Sequence, residues 1–541
     1  MWIDPITLHN KSRLISDYMK SDNKILSGFD YSPYNSMTYK QRIADLKERQ
    51  FDREDLTNVL LKLNKEWEAP TSTLHNIERL KDNESVVVIG GQQAGLLTGP
   101  LYTINKIISI IHLAKQQENE LNVPVIPVFW IAGEDHDFDE INHVMVQRQA
   151  RMKKFKVKQQ VNKKFSVSAL ELDKQEATQW MQGIFKELPE TQHTKGLYSL
   201  LEKELTKSKT YVDFFARIIL KLFKRDGLVL VDSGDPLVRK LESKHFVRII
   251  QNQRAISEGV YRKLQQVKSS GYAVSVDVEG DDAHLFYHKD GERVLLVRTE
   301  DNKWRGKQNE CEFSTDELIQ IAENTPELLS NNVVTRPFMQ ECLFPSLAFL
   351  GGPGEVGYWS ILKPLFQSME IKMPPVLPRL SFTLINEKVQ RKLNKFSIES
   401  MYAVNHGVDL ERGNWLSSQI SPSIEQLTDQ VKFSVERAHK PLKELAQSMG
   451  PDLGDMAEKN LLFLFEDVDF LGERIQSALE RKHASALTDF DHIQAYVHPE
   501  GGLQERCWNV ITFLNEYGYD LIETMIDQPY DYTQDHYLLY L

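Results

Sequence analysis

A doubly wound α/β fold with a parallel sheet, followed by a region of long helices, is predicted by three features of this chain. Ser85-Val-Val-Val-Ile-Gly-Gly91 is a β-branched run, too short for a helix, that breaks into glycines. A buried central strand running into its loop has this form. Strand-like and helix-like segments then alternate, with interruptions, as far as Leu380. Beyond that point apolar residues recur at steps of four and three, the period of packed long helices. The alternation implies right-handed crossovers and ligands at the carboxyl ends of the strands.

In chain order, residues 1 to about 80 are polar and helical in character, with an amphipathic stretch from Leu56 to Trp67. After the first strand, Gly90, Gly91, Gly95 and Gly99 supply turns that a Cβ resists. Pro100 opens a helix to Gln117, and Thr98 stands where a cap or a ligand hydroxyl would stand. Val123 to Ala132 reads as a second strand, ending in Gly133-Glu-Asp-His-Asp137. Residues 145–205 are lysine-rich and break the alternation, as an insertion would; Lys153 to Lys164 is a basic patch that reads as a solvated face. A helix from Tyr211 to Lys224 and a strand from Leu228 to Val231 resume the pattern. A hairpin closed near Asp290-Gly291 forms a second insertion. A last unit runs from Pro345 through Leu350 into Gly351-Gly-Pro-Gly-Glu355.

Two runs follow: Ile424 to Met449, with Pro441 expected to kink it, and Ala457, Leu461, Leu464, Val468, Leu471, Ile475 and Ala478. Gly450-Pro451 separates them, which predicts an antiparallel helical hairpin; core helices of a bundle are the plainer alternative. The expected domains are a core over 1–380 with insertions near 145–205 and 270–330, a helical hairpin over 381–495, and a helical segment over 496–541 that returns to the core.

The net charge of −12 over 541 residues argues against a general nucleic-acid binder. Cys311, Cys342 and Cys507 are scattered, which excludes a disulfide framework or a thiolate zinc site and fits a reducing compartment. No secretory signal and no apolar run of membrane-spanning length is present, so a cytoplasmic protein without membrane partners is expected.

Three loops end predicted strands and should converge. The first, Gln92-Gln93 to Lys106, offers amides, hydroxyls, a cation and the amides of a helix start, a setting for an anion, unless the glycines serve packing alone. The second, Glu134 to Glu140, surrounds one histidine with carboxylates. Asp135, His136 and Asp137 are the candidates for a base or an amine-orienting group, and with His143 for a metal-dependent hydrolase; an acidic helix start competes. The third, Gly352-Pro-Gly-Glu-Val-Gly357, matches the dinucleotide fingerprint in letters, but Pro353 removes an N–H, so it reads as a crevice lining with Glu355 as a ligand group. A fourth segment, His498-Pro-Glu-Gly-Gly-Leu-Gln-Glu-Arg506, reads either as a phosphate acceptor or as a plain helix start.

Together, Gly90-Gly-Gln-Gln-Ala-Gly-Leu-Leu-Thr-Gly-Pro-Leu-Tyr-Thr-Ile-Asn-Lys106, Phe129-Trp-Ile-Ala-Gly-Glu-Asp-His-Asp137, Gly351-Gly-Pro-Gly-Glu-Val-Gly-Tyr-Trp359 and His498 to Arg506 resemble the bacillithiol-biosynthesis cysteine-adding family, BshC. The resemblance implies a Rossmann-like core with inserted connecting segments, similar to class I aminoacyl-tRNA synthetases, and a helical coiled-coil domain that dimerises. It also implies a ligase joining cysteine to the amine of glucosaminyl-malate. Where those synthetases carry a histidine-glycine-histidine motif, Thr98-Gly-Pro-Leu-Tyr102 stands here.

On this reading Asp135, His136 and Asp137 handle the amine, while Gln92, Gln93, Thr98, Tyr102, Asn105, Lys106 and Glu355 bind substrate. ATP or ADP is the expected cofactor, with no metal. Gly99, Thr383, Leu384, Asn386, Gln504 and Arg506 are its candidate contacts, the last of these where the chain returns from the hairpin to the core. A homodimer through the hairpin is expected, because Phe463, Phe465 and Phe470 leave a second apolar face. A non-enzymatic dimeric scaffold is the alternative outside catalysis.

Overall fold

The run Val86–Ile89 forms the middle of a five-stranded parallel sheet. In the computed structural model, which describes residues 1–148, 151–161 and 163–541, the strands are β1 (Val86–Gln92), β2 (Val125–Ile131), β3 (Val229–Asp232), β4 (Ser346–Gly351) and β5 (Val376–Pro378). Their spatial order is β5-β4-β1-β2-β3, all parallel. Successive crossovers therefore move outward from β1 to β3, then return to build β4 and β5 on the other side. The direction reverses between β1 and β4, and their carboxyl ends open a crevice there. Val86, Val87, Val88 and Ile89 are buried, as a strand covered on both faces requires. Gly91 has no alternative: a Cβ there would lie 2.4 Å from the carbonyl oxygen of Trp130 on β2.

Helix α1 (Tyr102–Leu121) packs on β1 and β2 and ends at Asn122, whose left-handed φ of 56° suits its short polar side chain. It begins two residues later than expected. Leu97, Thr98 and Gly99 adopt consecutive positive φ values of 50°, 77° and 71°, so the chain cannot become helical at Pro100. Asn509 holds this turn by donating from Nδ2 to Leu97 O and Gly99 O, at 2.9 and 2.6 Å. A 34-residue helix, α2 (Pro236–Ser269), follows β3, with Asp235 as its N-cap.

The hairpin at Asp290-Gly291 is present. Strands Asp282–Lys289 and Glu292–Arg298 pair antiparallel, and both turn residues take positive φ, as a tight two-residue hairpin turn needs. They belong to a second, five-stranded sheet that also contains Leu329–Asn331. At the termini, strand Trp2–Ile6 pairs with His536–Tyr540, which adjoins Phe382–Ile385; the helical reading of both ends missed this small sheet. Gln149, Ala150 and Asn162, which fall in the lysine-rich insertion and its basic patch, lie outside the described residues.

The chain divides into two compact units. The first comprises Met1–Arg148, Met152–Leu384 and Gln504–Leu541, and the second is built on Ile385–Leu503. In the second, α3 (Ile424–Met449) and α4 (Pro451–Lys482) pack as an antiparallel hairpin. Helix α3 continues through Pro441 as one element. Of the predicted seam, Leu461 is buried, whereas Leu464, Leu471 and Ile475 are exposed, as are Phe463 and Phe470 beside it. Among the described residues no helix is long and apolar enough to cross a membrane.

Candidate active site

A cavity of about 500 Å³ opens where the carboxyl ends of β1 and β4 diverge, at the reversal in strand order. Gln92 and Gln93 extend from β1 into its wall, Tyr102 and Lys106 come from the first turns of α1, and Glu355 from the helix Pro353–Trp359 after β4. The sequence assigned all five to substrate binding, and the fold brings them together.

Lys106 is 1% exposed, yet its ammonium is satisfied. It donates to Gly91 O at 2.6 Å, to Gln92 Oε1 at 3.2 Å and to the Glu355 carboxylate. Burial lowers its pKa, and the Glu355 charge works against that shift. Glu355 Oε2 also accepts the Gly352 N–H at 2.7 Å. The glycine-rich letters here thus make a helix start capped by its own glutamate, not a pyrophosphate cradle.

Arg379, just beyond β5, forms a bidentate pair with Glu505 at 2.8 and 2.7 Å and lies 5.8 Å from the centre of the Tyr102 ring. Burial alone would raise the Glu505 pKa, but Arg379 and a hydrogen bond from Asn105 outweigh it. Asn105 therefore stands behind the cavity, holding Glu505, and not in its wall. Thr98 is likewise displaced: its hydroxyl is buried without a hydrogen-bond partner. The expected amides of the helix start are engaged too, since Leu101 N–H donates to Trp508 O at 2.7 Å and Thr103 N–H to Pro100 O at 3.0 Å.

The acidic loop after β2 is locked into ion pairs. Glu134, fully buried, meets Arg239 at 2.5 Å and Arg336 at 2.7 Å. Burial pushes its carboxyl up, but the arginines outweigh this and hold it at about 2. Arg239 also pairs with Glu242, which burial raises to about 7. Asp135 accepts from Arg336 at 2.6 Å and Arg293 at 3.1 Å. Of the three expected amine-handling residues, only Asp135 reaches the cavity wall, and it does so as a paired carboxylate. His136 lies with its ring edge toward Phe286 and its Nδ1 3.5 Å from Arg293; burial, then that arginine, lowers its pKa. Asp137 is exposed at the start of the short helix Phe138–Ile141.

The same loop contributes Glu140 instead. It lines the cavity beside Gln93 as an exposed residue; partial desolvation raises its pKa, with Asp137 and Asp135 adding to the shift against the Gln93 hydrogen bond. Asp135, His136, Asp137 and His143 do not converge as metal ligands: among the described residues, the one set of three or more such groups that does is Glu279, Asp281 and Asp282. The hydrolase alternative thereby loses its metal site.

Of the expected nucleotide contacts, Gln504 and Leu384 come together, but not in the cavity wall. Gln504, in the first unit, spends its amide on the backbone of Leu384, accepting from its N–H at 2.8 Å and donating to its carbonyl at 2.9 Å. Thr383 bonds His536 at 2.8 Å. Asn386, in the second unit, caps the helix Glu387–Lys395. Gly99 serves the Asn509 clamp. Only Arg506 faces the cavity.

Sequence reasoning missed Arg336, Arg379 and Trp130. Arg336 sits on the helix Thr335–Leu343 with no local mark of its role. Arg379 follows Val376-Leu377-Pro378, and reading that triplet as a strand would have placed it at a carboxyl end beside the crevice. Trp130 reads as core, and it is 1% exposed, but it lines the cavity and its indole N–H has no partner.

Comparison with known proteins is consistent over the whole chain. The family model described as "Bacillithiol biosynthesis BshC, N-terminal Rossmann-like domain" matches residues 1–380, and the corresponding "C-terminal coiled-coil domain" model matches residues 382–541. Proteins bearing the name "Putative cysteine ligase BshC" are similar throughout. That of Oceanobacillus iheyensis is 40% identical over 544 residues, covering 99% of each chain. Those of Bacillus cereus strain AH187 and Bacillus cytotoxicus are 41% and 42% identical, covering 98% of each chain.

Proposed function

The chain belongs to the bacillithiol-biosynthesis BshC family, and on that premise we propose that it is a ligase joining the carboxyl group of L-cysteine to the amine of glucosaminyl-malate. The observation that carries this reading is the mixed lining of the switch-point cavity. Cations from Lys106, Arg336, Arg379 and Arg506 share about 500 Å³ with the carboxylates of Glu355, Asp135 and Glu140. A substrate with two malate carboxylates and a sugar amine needs both signs of charge in one place.

In this proposal Arg506 and Arg379 take the malate carboxylates, and Glu140 removes the proton the amine must lose before attack. A carboxyl whose pKa is raised is suited to that step, whereas both arginines beside Asp135 already occupy its carboxylate. The Trp130 indole N–H and Gln92 supply donors for the oxygen of the carbonyl under attack. Joining a carboxylate to an ammonium in water is uphill, and a nucleotide such as ATP supplies the driving force.

The test is an assay of the purified full-length chain with cysteine, glucosaminyl-malate and ATP. A new thiol of the condensed mass, formed only with nucleotide, is expected; no product under those conditions overturns the reading. The exposed apolar residues of α3 and α4 further lead us to propose a homodimer formed through the hairpin, working in the cytoplasm.

A further inference from the structure

Beside the switch-point cavity lies a second, of about 470 Å³. Asp135, Arg336 and Val333 line both. The segment between α2 and the strand Asp282–Lys289 runs along both as well: Ser275 and Val276 face the first cavity, whereas Asp277, Glu279 and Asp282 face the second. Nothing in the ligase chemistry uses this acidic rim.

Two of its carboxylates converge with a third, that of Asp281. The oxygens of Glu279, Asp281 and Asp282 all lie within 4.8 Å of one another. Two oxygens on opposite sides of one calcium ion stand about 4.6–5.2 Å apart, so this spacing brackets a single ion. Convergence of exposed acids would be unremarkable, but Asp282 is only 8% exposed. Its Oδ2 accepts the Glu279 N–H at 2.8 Å, while Oδ1 is buried with no hydrogen-bond partner. A buried, unpaired carboxylate oxygen is costly unless something positive meets it.

The charge count then selects the ion. Lys307 meets Glu279 at 3.1 Å and, among the described residues, is the one cation paired with the three carboxylates, leaving a net charge of −2. Oxygen-only donors at this spacing suit a hard divalent ion. The backbone of Asp282 is itself anchored, its carbonyl accepting from Gln253 at 2.9 Å and from Ser257 on α2. One ligand is thus fixed to a long helix while Glu279 and Asp281 ride on the connecting segment.

From this juxtaposition we propose that Glu279, Asp281 and Asp282 bind one hard divalent cation (calcium, magnesium or manganese) that ties the 275–282 segment to α2. The ion braces Ser275 and Val276 against the first cavity and stays outside the reacting groups. The site stands whether or not the chain is a ligase, because its test needs no substrate.

Full-length chain stripped of metal is titrated calorimetrically with calcium, magnesium and manganese chlorides in separate runs. One saturable site per chain is expected for at least one ion. Asp282→Asn should weaken it at least ~10-fold, as expected for losing one ligand charge of three. Lys307→Gln should tighten it, because the site then carries three uncompensated charges. Amide hydrogen exchange over residues 275–282 should slow on adding the ion to the natural chain and not to Asp282→Asn. No binding at about 1 mM of any of the three ions overturns the proposal. So does binding that neither substitution alters. If Asp282→Asn fails to fold, Lys307→Gln still decides, since the Lys307 side chain is half exposed.

Discussion

The switch-point cavity and the helical hairpin are built from opposite materials. Around the cavity, most charge is buried and the central ion pairs join residues far apart in sequence: Glu134 to Arg336, 202 residues on, and Arg379 to Glu505, 126 residues on. Along α3 and α4, apolar side chains are exposed and the pairing is local, one helix against the next. The first region holds itself together at a high cost for any missing partner. The second leaves its surface to be completed by something else. Substitutions should therefore be severe and indivisible in the first, and mild and separable in the second.

The largest effect is expected for Glu134→Gln. It leaves Arg239 and Arg336 facing a neutral group in a dry site, which costs about 3–5 kcal/mol; denaturant unfolding measures it. The pH dependence has a definite sign. With a folded pKa of about 2 against an ordinary 4.5, Glu134 contributes its stability in full above about pH 4.5 and loses it as pH falls toward 2. Stability profiles of the two chains should therefore converge in acid. Parallel profiles down to pH 2 would show that the carboxylate is not held as described.

Next is Glu140→Gln. A general base contributes about 10²–10⁴-fold, so kcat should fall within that range while the fold is retained. Because partial desolvation raises the Glu140 pKa, the acid limb of the natural chain's rate profile should lie above the usual carboxylate range, and it should vanish in the variant. An unchanged limb would return the base role to another group. Arg506→Ala comes third. Loss of one charge-assisted contact of about 1.5–3 kcal/mol should raise KM for the malate-bearing substrate about 10- to 100-fold, with kcat little changed. A fall in kcat alone would place Arg506 with the reacting groups.

The smallest effect on stability, and the sharpest on assembly, is expected from Leu464→Asp with Leu471→Asp. Both side chains are exposed, so stability of the first unit should move by no more than about 0.5 kcal/mol. Sedimentation should shift from a dimer to a particle of one chain's mass, 62.6 kDa. Dimers that survive the double substitution would place the contact elsewhere.

The cavity's location could be inferred from the strand that ends in Gly90-Gly-Gln-Gln and from the unit ending in Gly351-Gly-Pro-Gly, because local pattern specifies where strands stop. Gln92, Gln93, Tyr102, Lys106 and Glu355 follow from that placement. Thr98 and Asn105, on the same loop and helix, turn inward. The cause in Thr98's case is a left-handed turn clamped by Asn509, about four hundred residues away by the hydrogen bonds that hold it. The acidic loop shows the same divide, since its composition flagged charge chemistry but not that the arginines of α2, the hairpin and the Thr335–Leu343 helix would claim Glu134 and Asp135.

By itself the sequence determined the alternating strands and helices, the two-residue hairpin turn at Asp290-Gly291 and the helical hairpin. All of these depend on residue periodicity or on backbone conformations that only certain residues adopt. The tertiary structure alone decided which charges meet, which hydroxyls face the cavity and which carboxylate keeps a raised pKa. Those outcomes depend on distances and burial between segments remote in the chain, and neither quantity is written in local pattern.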